Sequence, residues 1–264
     1  MSALSFQKQI HREFLRAMPG SRAMMANLGK WTDSPDSRFA VIKVGGAVIE
    51  EQLEDLVGSL SFLYRLGLFP IVLHGAGPQL NSAMEENNIQ PEYVGGKRVT
   101  NPEVLRVAMP VFAEQNAKLA AALEAAGVRA RPIFNQVFQA DLLDEHALGL
   151  VGTVTGVNTA QIDSAIEAGC IPIVCSLGSS STGQTLNINA DTAATELAIA
   201  CMPQKMVFLG GNGGLKDGEG NEISVISHKD DYTRLLQEPW VKHGTRLKLL
   251  EIEKLLKVNF FGLT

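Results

Sequence analysis

Three short glycine-bearing segments each follow an apolar run: Lys43-Val44-Gly45-Gly46, His74-Gly75-Ala76-Gly77-Pro78 and Gly210-Gly211-Asn212-Gly213-Gly214. Glycine lets a backbone come close to an anion, and a helix starting just after it adds aligned N–H donors. One such turn is commonplace, but three on the strands of one sheet point to phosphate. Lys43 sharpens that reading, since it stands near the end of an otherwise apolar run, with Val44 alone between it and two glycines. The competing reading is an edge lysine that snorkels to water. A second polar cluster, Asn187-Ile188-Asn189-Ala190-Asp191, precedes a helical pattern. Asp191 there reads as a helix N-cap, as a carboxylate that orients a lysine, or as both.

Other phosphate and metal chemistries do not fit. A dinucleotide fingerprint needs a third glycine where Leu80 stands. A P-loop fails at Gly96-Lys97, which is followed by Arg98 and has Pro91 at the first glycine position. Protein-kinase catalytic-loop signatures are missing as well. The 264 residues hold 23 Lys plus Arg against 28 Asp plus Glu, a formal net charge of -5. That balance gives no reason to expect nucleic acid or an acidic membrane as partner, so the lysines must act as single placed charges. Cys170, Cys175 and Cys201 are too few and too irregular for a disulfide framework or a zinc site, and they read as buried thiols. No apolar run approaches the roughly 20 residues needed to cross a bilayer.

The elements that must position these residues alternate. Phe39 to Val44, Phe69 to His74, Ile171 to Ser176 and Lys205 to Leu209 read as buried strands. Helical patterns cover Leu53 to Leu63, Pro78 to Asn88, Pro102 to Ala126, Asn158 to Ala168 and Thr192 to Cys201. Such alternation needs crossovers, hence an α/β fold with a mainly parallel open sheet covered by helices on both faces. Ligands of such sheets sit at the carboxyl ends of the strands, where the glycine turns fall. Ahead of this body, Phe6, Ile10, Phe14 and Met18 recur every four residues among Lys8, Arg12, Glu13 and Arg16, an amphipathic helix joined by the polar stretch Thr32 to Ser37. It reads as a partner-binding arm or as the remnant of a mitochondrial transit peptide, and Glu13 argues against the latter.

Taken together, these motifs resemble the amino-acid kinase family, and within it the N-acetylglutamate kinases, from about Phe39 to Lys257. Lys43 to Gly46 is similar to the family's first phosphate loop and His74 to Gln79 to its second. Val94 to Thr100 resembles the segment whose arginine grips an acylated amino acid. Leu186 to Ala194 resembles the catalytic and acetylglutamate-binding segment, and Gly244 to Lys248 the approach to a second catalytic lysine. The resemblance implies an αβα sandwich at residues 38–264 behind an N-terminal helix and linker at 1–37. Residues 38–183 would be the acetylglutamate lobe and 184–264 a nucleotide lobe shorter than the family's. It implies ATP, with Mg2+ carried on the ATP phosphates and no metal ligands from the protein, and N-acetylglutamate as acceptor. Lys43, Asp191 and Lys248 would be catalytic, with Asp191 aiming both lysines. Gly75, Ala76, Arg98, Asn187 and Asn189 would bind substrate, Arg98 taking its α-carboxylate and Asn187 its acetamide. Gly45, Gly46, Gly77, Gly210, Gly211 and Gly214 would line phosphate and nucleotide, the N–H groups of Gly46 and Gly75 meeting the transferring phosphoryl group. Arginine as inhibitor and self-association through the N-terminal helix complete the implied picture. The compartment would be cytoplasm in a bacterium and mitochondrial matrix in a eukaryote. A second implied identity is the arginine-binding, kinase-like domain of an N-acetylglutamate synthase.

Overall fold

The computed structural model describes residues 38–258 except Asn212. The amphipathic helix and linker expected at residues 1–37 lie outside the described residues. In chain order come β1 (Ala40–Val44), α1 (Gly46–Glu51), α2 (Leu53–Arg65), β2 (Ile71–His74) and α3 (Gly77–Glu86). Next are β3 (Tyr93–Val94), β4 (Lys97–Arg98), α4 (Pro102–Ala125), β5 (Ala130–Ile133), β6 (Phe138–Leu142) and α5 (Glu145–Leu148). Then follow β7 (Gly152–Val157), α6 (Ala160–Glu167), β8 (Ile171–Cys175), β9 (Leu177–Ser179) and β10 (Thr185–Asn187). Last are α7 (Ala190–Cys201), β11 (Lys205–Leu209), α8 (Tyr232–Leu235) and α9 (His243–Lys257).

Five strands form a wholly parallel sheet in the order β11-β1-β2-β8-β5. Side chains alternate across it. Val41, Ile71, Leu73 and Val174 face α6 and α7, packing on Ile162, Ala193, Ala194 and Leu197. Ile42, Val44, Val72 and Ile173 face the other way, onto Val48 and Ile49 of α1, Leu60 of α2 and Leu119 and Leu123 of α4. Both faces are therefore covered, as near-continuous apolar strands require. Lys43 shares the parity of Val41, so its side chain leaves the sheet on the α7 side. All three cysteines are free and buried.

Residues 138–187 add what strand periodicity does not indicate, a second sheet in the order β10-β9-β6-β7. Its pairings are antiparallel except β6 with β9. The strands run only three to six residues, and the β6–β7 register shifts between Gln139 and Ala140. Such short, half-exposed strands carry too few apolar positions to announce themselves. The hairpin of β3 and β4 turns on Gly95 and Gly96, at φ +57 and +79. Two successive left-handed residues make the tight turn whose twist suits a hairpin.

A small apolar cluster of Tyr232, Leu235, Val241 and Leu249, with Trp240 against it, seats α9, whose Leu255 reaches the main core. Gly149, which bridges to Thr100 just past β4, holds φ +68, and a Cβ there would lie 2.6 Å from the Thr100 carbonyl oxygen. That carbonyl accepts from Leu150 at 2.6 Å. Gly149→Ala is therefore expected to cost about 2 kcal/mol or more, from strain plus a displaced backbone. Urea unfolding with an unchanged midpoint would contradict this account of the joint.

Candidate functional site

β11, β1 and β2 are neighbours and run the same way, so their three glycine turns share one edge. The ladder continues past the strand ends: Gly45 donates to the Leu209 carbonyl at 2.9 Å and Gly75 to Val44 at 3.0 Å. This corrects one expectation. The Gly75 N–H is committed to the sheet and is not an open oxyanion donor. Gly46 differs, because it begins α1, where first-turn N–H groups have no intrahelical partner.

A cavity of about 370 Å3 opens at this edge. Lys43, Gly45, Gly46, Gly75, Ala76, Gly77, Arg98, Asn187 and Asn189 all line it. Gly210 and Gly211 back the Gly45 turn from behind, where a Cβ on Gly211 would sit 3.3 Å from the Ala47 Cβ. Gly214 does not join them: it packs on Glu222, whose Oε1 would be 2.8 Å from an added Cβ.

Asp191 is the hinge of the arrangement. Of the readings open to it, capping fails: Asn189 caps α7, its side-chain oxygen accepting from the N–H groups of Asp191 and Thr192. The Asp191 carboxylate, one step inside the helix, is thereby released to other partners. Lys43 Nζ lies 2.9 Å from Oδ1 as an ion pair. Lys248 Nζ, reaching in from α9, donates to Oδ2 at 2.7 Å. Burial by itself would push the Asp191 carboxyl up, and it is the largest single effect. The two ammonium groups together outweigh it and hold the carboxyl below its usual range. Lys248 also lies 5.4 Å over the Phe208 ring.

Arg98, which also lines the cavity, is buried. Its Nη2 donates to Asn81 Oδ1 at 2.5 Å and to the Gly77 carbonyl at 3.4 Å, while Nη1 meets Met84 Sδ at 3.2 Å. No carboxylate of the described residues pairs with it. Burial lowers its proton affinity, with Tyr93 opposing, yet a guanidinium stays charged at any physiological pH. Asn187 is braced by Thr100, its Nδ2 donating to Oγ1 at 3.0 Å. His74 is fully buried, and burial holds it near 4, so it contributes no charge.

Sequence reasoning missed Ser176, Tyr93 and Asn81. Ser176 lines the cavity directly after β8, and the rule that ligands meet strand ends would have found it. Tyr93 and Asn81 had no such signal, because only the folded hairpin brings them to Arg98.

The fold and this site define a three-layer α/β domain with a cationic cavity at its strand ends. The chain belongs to the amino acid kinase family, whose sequence pattern matches residues 38–259. It is 46% identical over 246 residues to "Protein ARG5,6, mitochondrial" of Candida albicans, covering 93% of this chain and 29% of that protein. It is 45% identical over 239 residues to the acetylglutamate kinase of Xanthomonas campestris, covering 90% and 56%. The chain thus spans a third or less of the first and just over half of the second. Among solved structures, smu.665 from Streptococcus mutans superposes with a TM-score of 0.77 at 27% identity, covering 84% of this chain and 92% of that one.

The lowered Asp191 carboxyl carries a consequence for acid stability. A carboxyl whose folded value lies below its unfolded value of about 3.8 stabilises the fold above that value. The contribution is lost as pH falls through the depressed folded value. Asp191→Asn should therefore lower stability at pH 7, by about 3 kcal/mol for a broken buried pair, and flatten the acid limb. Urea midpoints measured from pH 7 to 3 test it, and parallel curves for the two proteins would refute it.

Proposed function

We propose that this chain transfers the γ-phosphoryl group of ATP to the γ-carboxylate of N-acetyl-L-glutamate, the second step of arginine biosynthesis. One observation carries the reading: two lysine heads share one buried carboxylate, and one of them, Lys43, lines a cavity with Arg98, an arginine that no carboxylate of the described residues pairs with. Such a cavity suits a dianionic acceptor gripped at one end and reacting at the other. The names and identities of the relatives support it.

The acceptor oxygen is already ionised at neutral pH, so no general base is needed. It attacks the γ-phosphorus, and the bond to the β–γ bridging oxygen breaks as ADP leaves. The obstacle is bringing one anion against another, so catalysis rests on positioning and charge. Lys43 and Lys248 supply two positive charges and Asp191 one negative, leaving about one net charge at the reacting group. An ammonium has three donors, so Lys43 can pair with Asp191 and still turn protons towards the phosphoryl oxygens. Gly46, opening α1, offers its N–H to the same oxygens. Arg98 takes the α-carboxylate, and Asn187, held by Thr100, takes the acetamide.

A protein-held metal does not suit these donors: both Asp191 oxygens face lysines, and no cluster of three acidic, His or Cys side chains occurs among the described residues. A divalent ion would arrive on the nucleotide phosphates as its counter-ion. Compartment follows source, matrix in a eukaryote and cytoplasm in a bacterium. An arginine-binding regulatory domain, the other implied identity, has no need of two lysines around Asp191.

ATP-dependent acyl-phosphate formation on N-acetylglutamate, trapped with hydroxylamine, tests the reading; arginine added to the same assay tests its inhibition. Lys43→Ala should lose at least about 100-fold in kcat. Arg98→Ala should raise KM for acetylglutamate about 10- to 100-fold with kcat less affected. Unchanged turnover in Lys43→Ala would sink the assignment.

A further inference from the structure

Among the described residues Arg98 is held by three acceptors, and none of them is charged. They are the Gly77 carbonyl, the Asn81 side-chain oxygen and the Met84 sulfur. Positions 77, 81 and 84 fall on one face of α3, at the spacing that lines up neighbours along a helix. Asn81 is the pivot of the three. Its Oδ1 also accepts from the Tyr93 hydroxyl at 3.1 Å, and the Tyr93 ring lies 4.9 Å from the guanidinium carbon. One amide oxygen therefore ties α3, the β3 strand and Arg98 together.

The neutrality of that oxygen has a consequence for binding. An aspartate has the shape of an asparagine and would offer Arg98 a stronger, charge-assisted partner. Arg98 would then be satisfied from within the protein. With an amide instead, the guanidinium is aimed but its charge stays uncompensated. We propose that Asn81 is a specificity-determining positioning residue, whose neutral side chain orients Arg98 while reserving its charge for the substrate's α-carboxylate. The proposal rests on the acetylglutamate reading above and adds to it what makes the pocket demand a carboxylate there, not a neutral amide.

The test compares the wild-type chain with Asn81→Asp and Asn81→Ala. Calorimetry measures binding of N-acetyl-L-glutamate and of its α-carboxamide analogue, and MgATP binding serves as the control. Wild type should prefer the carboxylate by about 100-fold or more, as sites with an otherwise unpaired polar group do. Asn81→Asp should bind acetylglutamate at least about tenfold more weakly and lose most of that preference, with unchanged MgATP affinity. Its thermal midpoint should be equal or higher, since it gains an internal ion pair. Asn81→Ala, which removes the acceptor without adding charge, should bind more weakly yet keep the preference for carboxylate. The proposal is overturned if Asn81→Asp retains the preference, if its midpoint falls, or if both variants lose the preference equally. Failure of the wild type to bind acetylglutamate would instead bring down the functional reading, and this proposal with it.

Discussion

A carboxylate buried between two ammonium groups is tolerable only when both cations reach it from fixed directions. Asp191 meets that condition through three separate elements: it stands in the first turn of α7, Lys43 near the end of β1 and Lys248 on α9. The small residues Ala193, Ala194 and Ala198, fully buried under the sheet, let α7 approach β1 closely. Larger side chains there would lift the helix and part the pair. Asn189, by taking over the capping of α7, frees the Asp191 carboxylate for the lysines.

The two lysines are supported differently. Lys43 belongs to a central strand hydrogen-bonded on both sides, and its side chain is only 13% exposed. Lys248 sits on a half-buried helix, and its side chain is 36% exposed. Leu249 in the small apolar cluster and Leu255 in the main core seat that helix. Polar contacts add to its alignment on α7: Thr192 donates to Glu251 at 2.6 Å, and Lys254 pairs with Glu196 one turn further on. Arg98 lies at the end of a two-residue strand and depends on α3 for its aim. The cavity therefore has its floor at the β1 and β2 turns, with Arg98 brought to it by a two-residue strand, while α9 brings Lys248 to Asp191.

Much of the floor was legible. Lys43 before Gly45 and Gly46, the glycines after His74 and the apolar strands before them are local patterns, and strand–helix alternation dictates that parallel strand ends share an edge. The segment from Asn187 to Asp191 stood out by its polarity, although the cap is Asn189 and not Asp191, since capping depends on where the helix starts. The second sheet, with its short strands and shifted register, left no periodic trace. Asn81, Tyr93 and Ser176 went unnoticed because a lone polar residue carries no pattern.

By itself the sequence determined the parallel α/β body, the phosphate-ready turns and the types of side chain available for charge. These follow from periodicity and composition within short windows, where local sterics and burial decide. The opening run with Lys43 was readable in that way. Only the tertiary structure decided that Asp191 stands between Lys43 and Lys248, drawn from positions far apart in the chain, and that the described residues holding Arg98 are all neutral. Pair distances between remote residues depend on how helices dock on the sheet, and docking is set by the packing of the whole core.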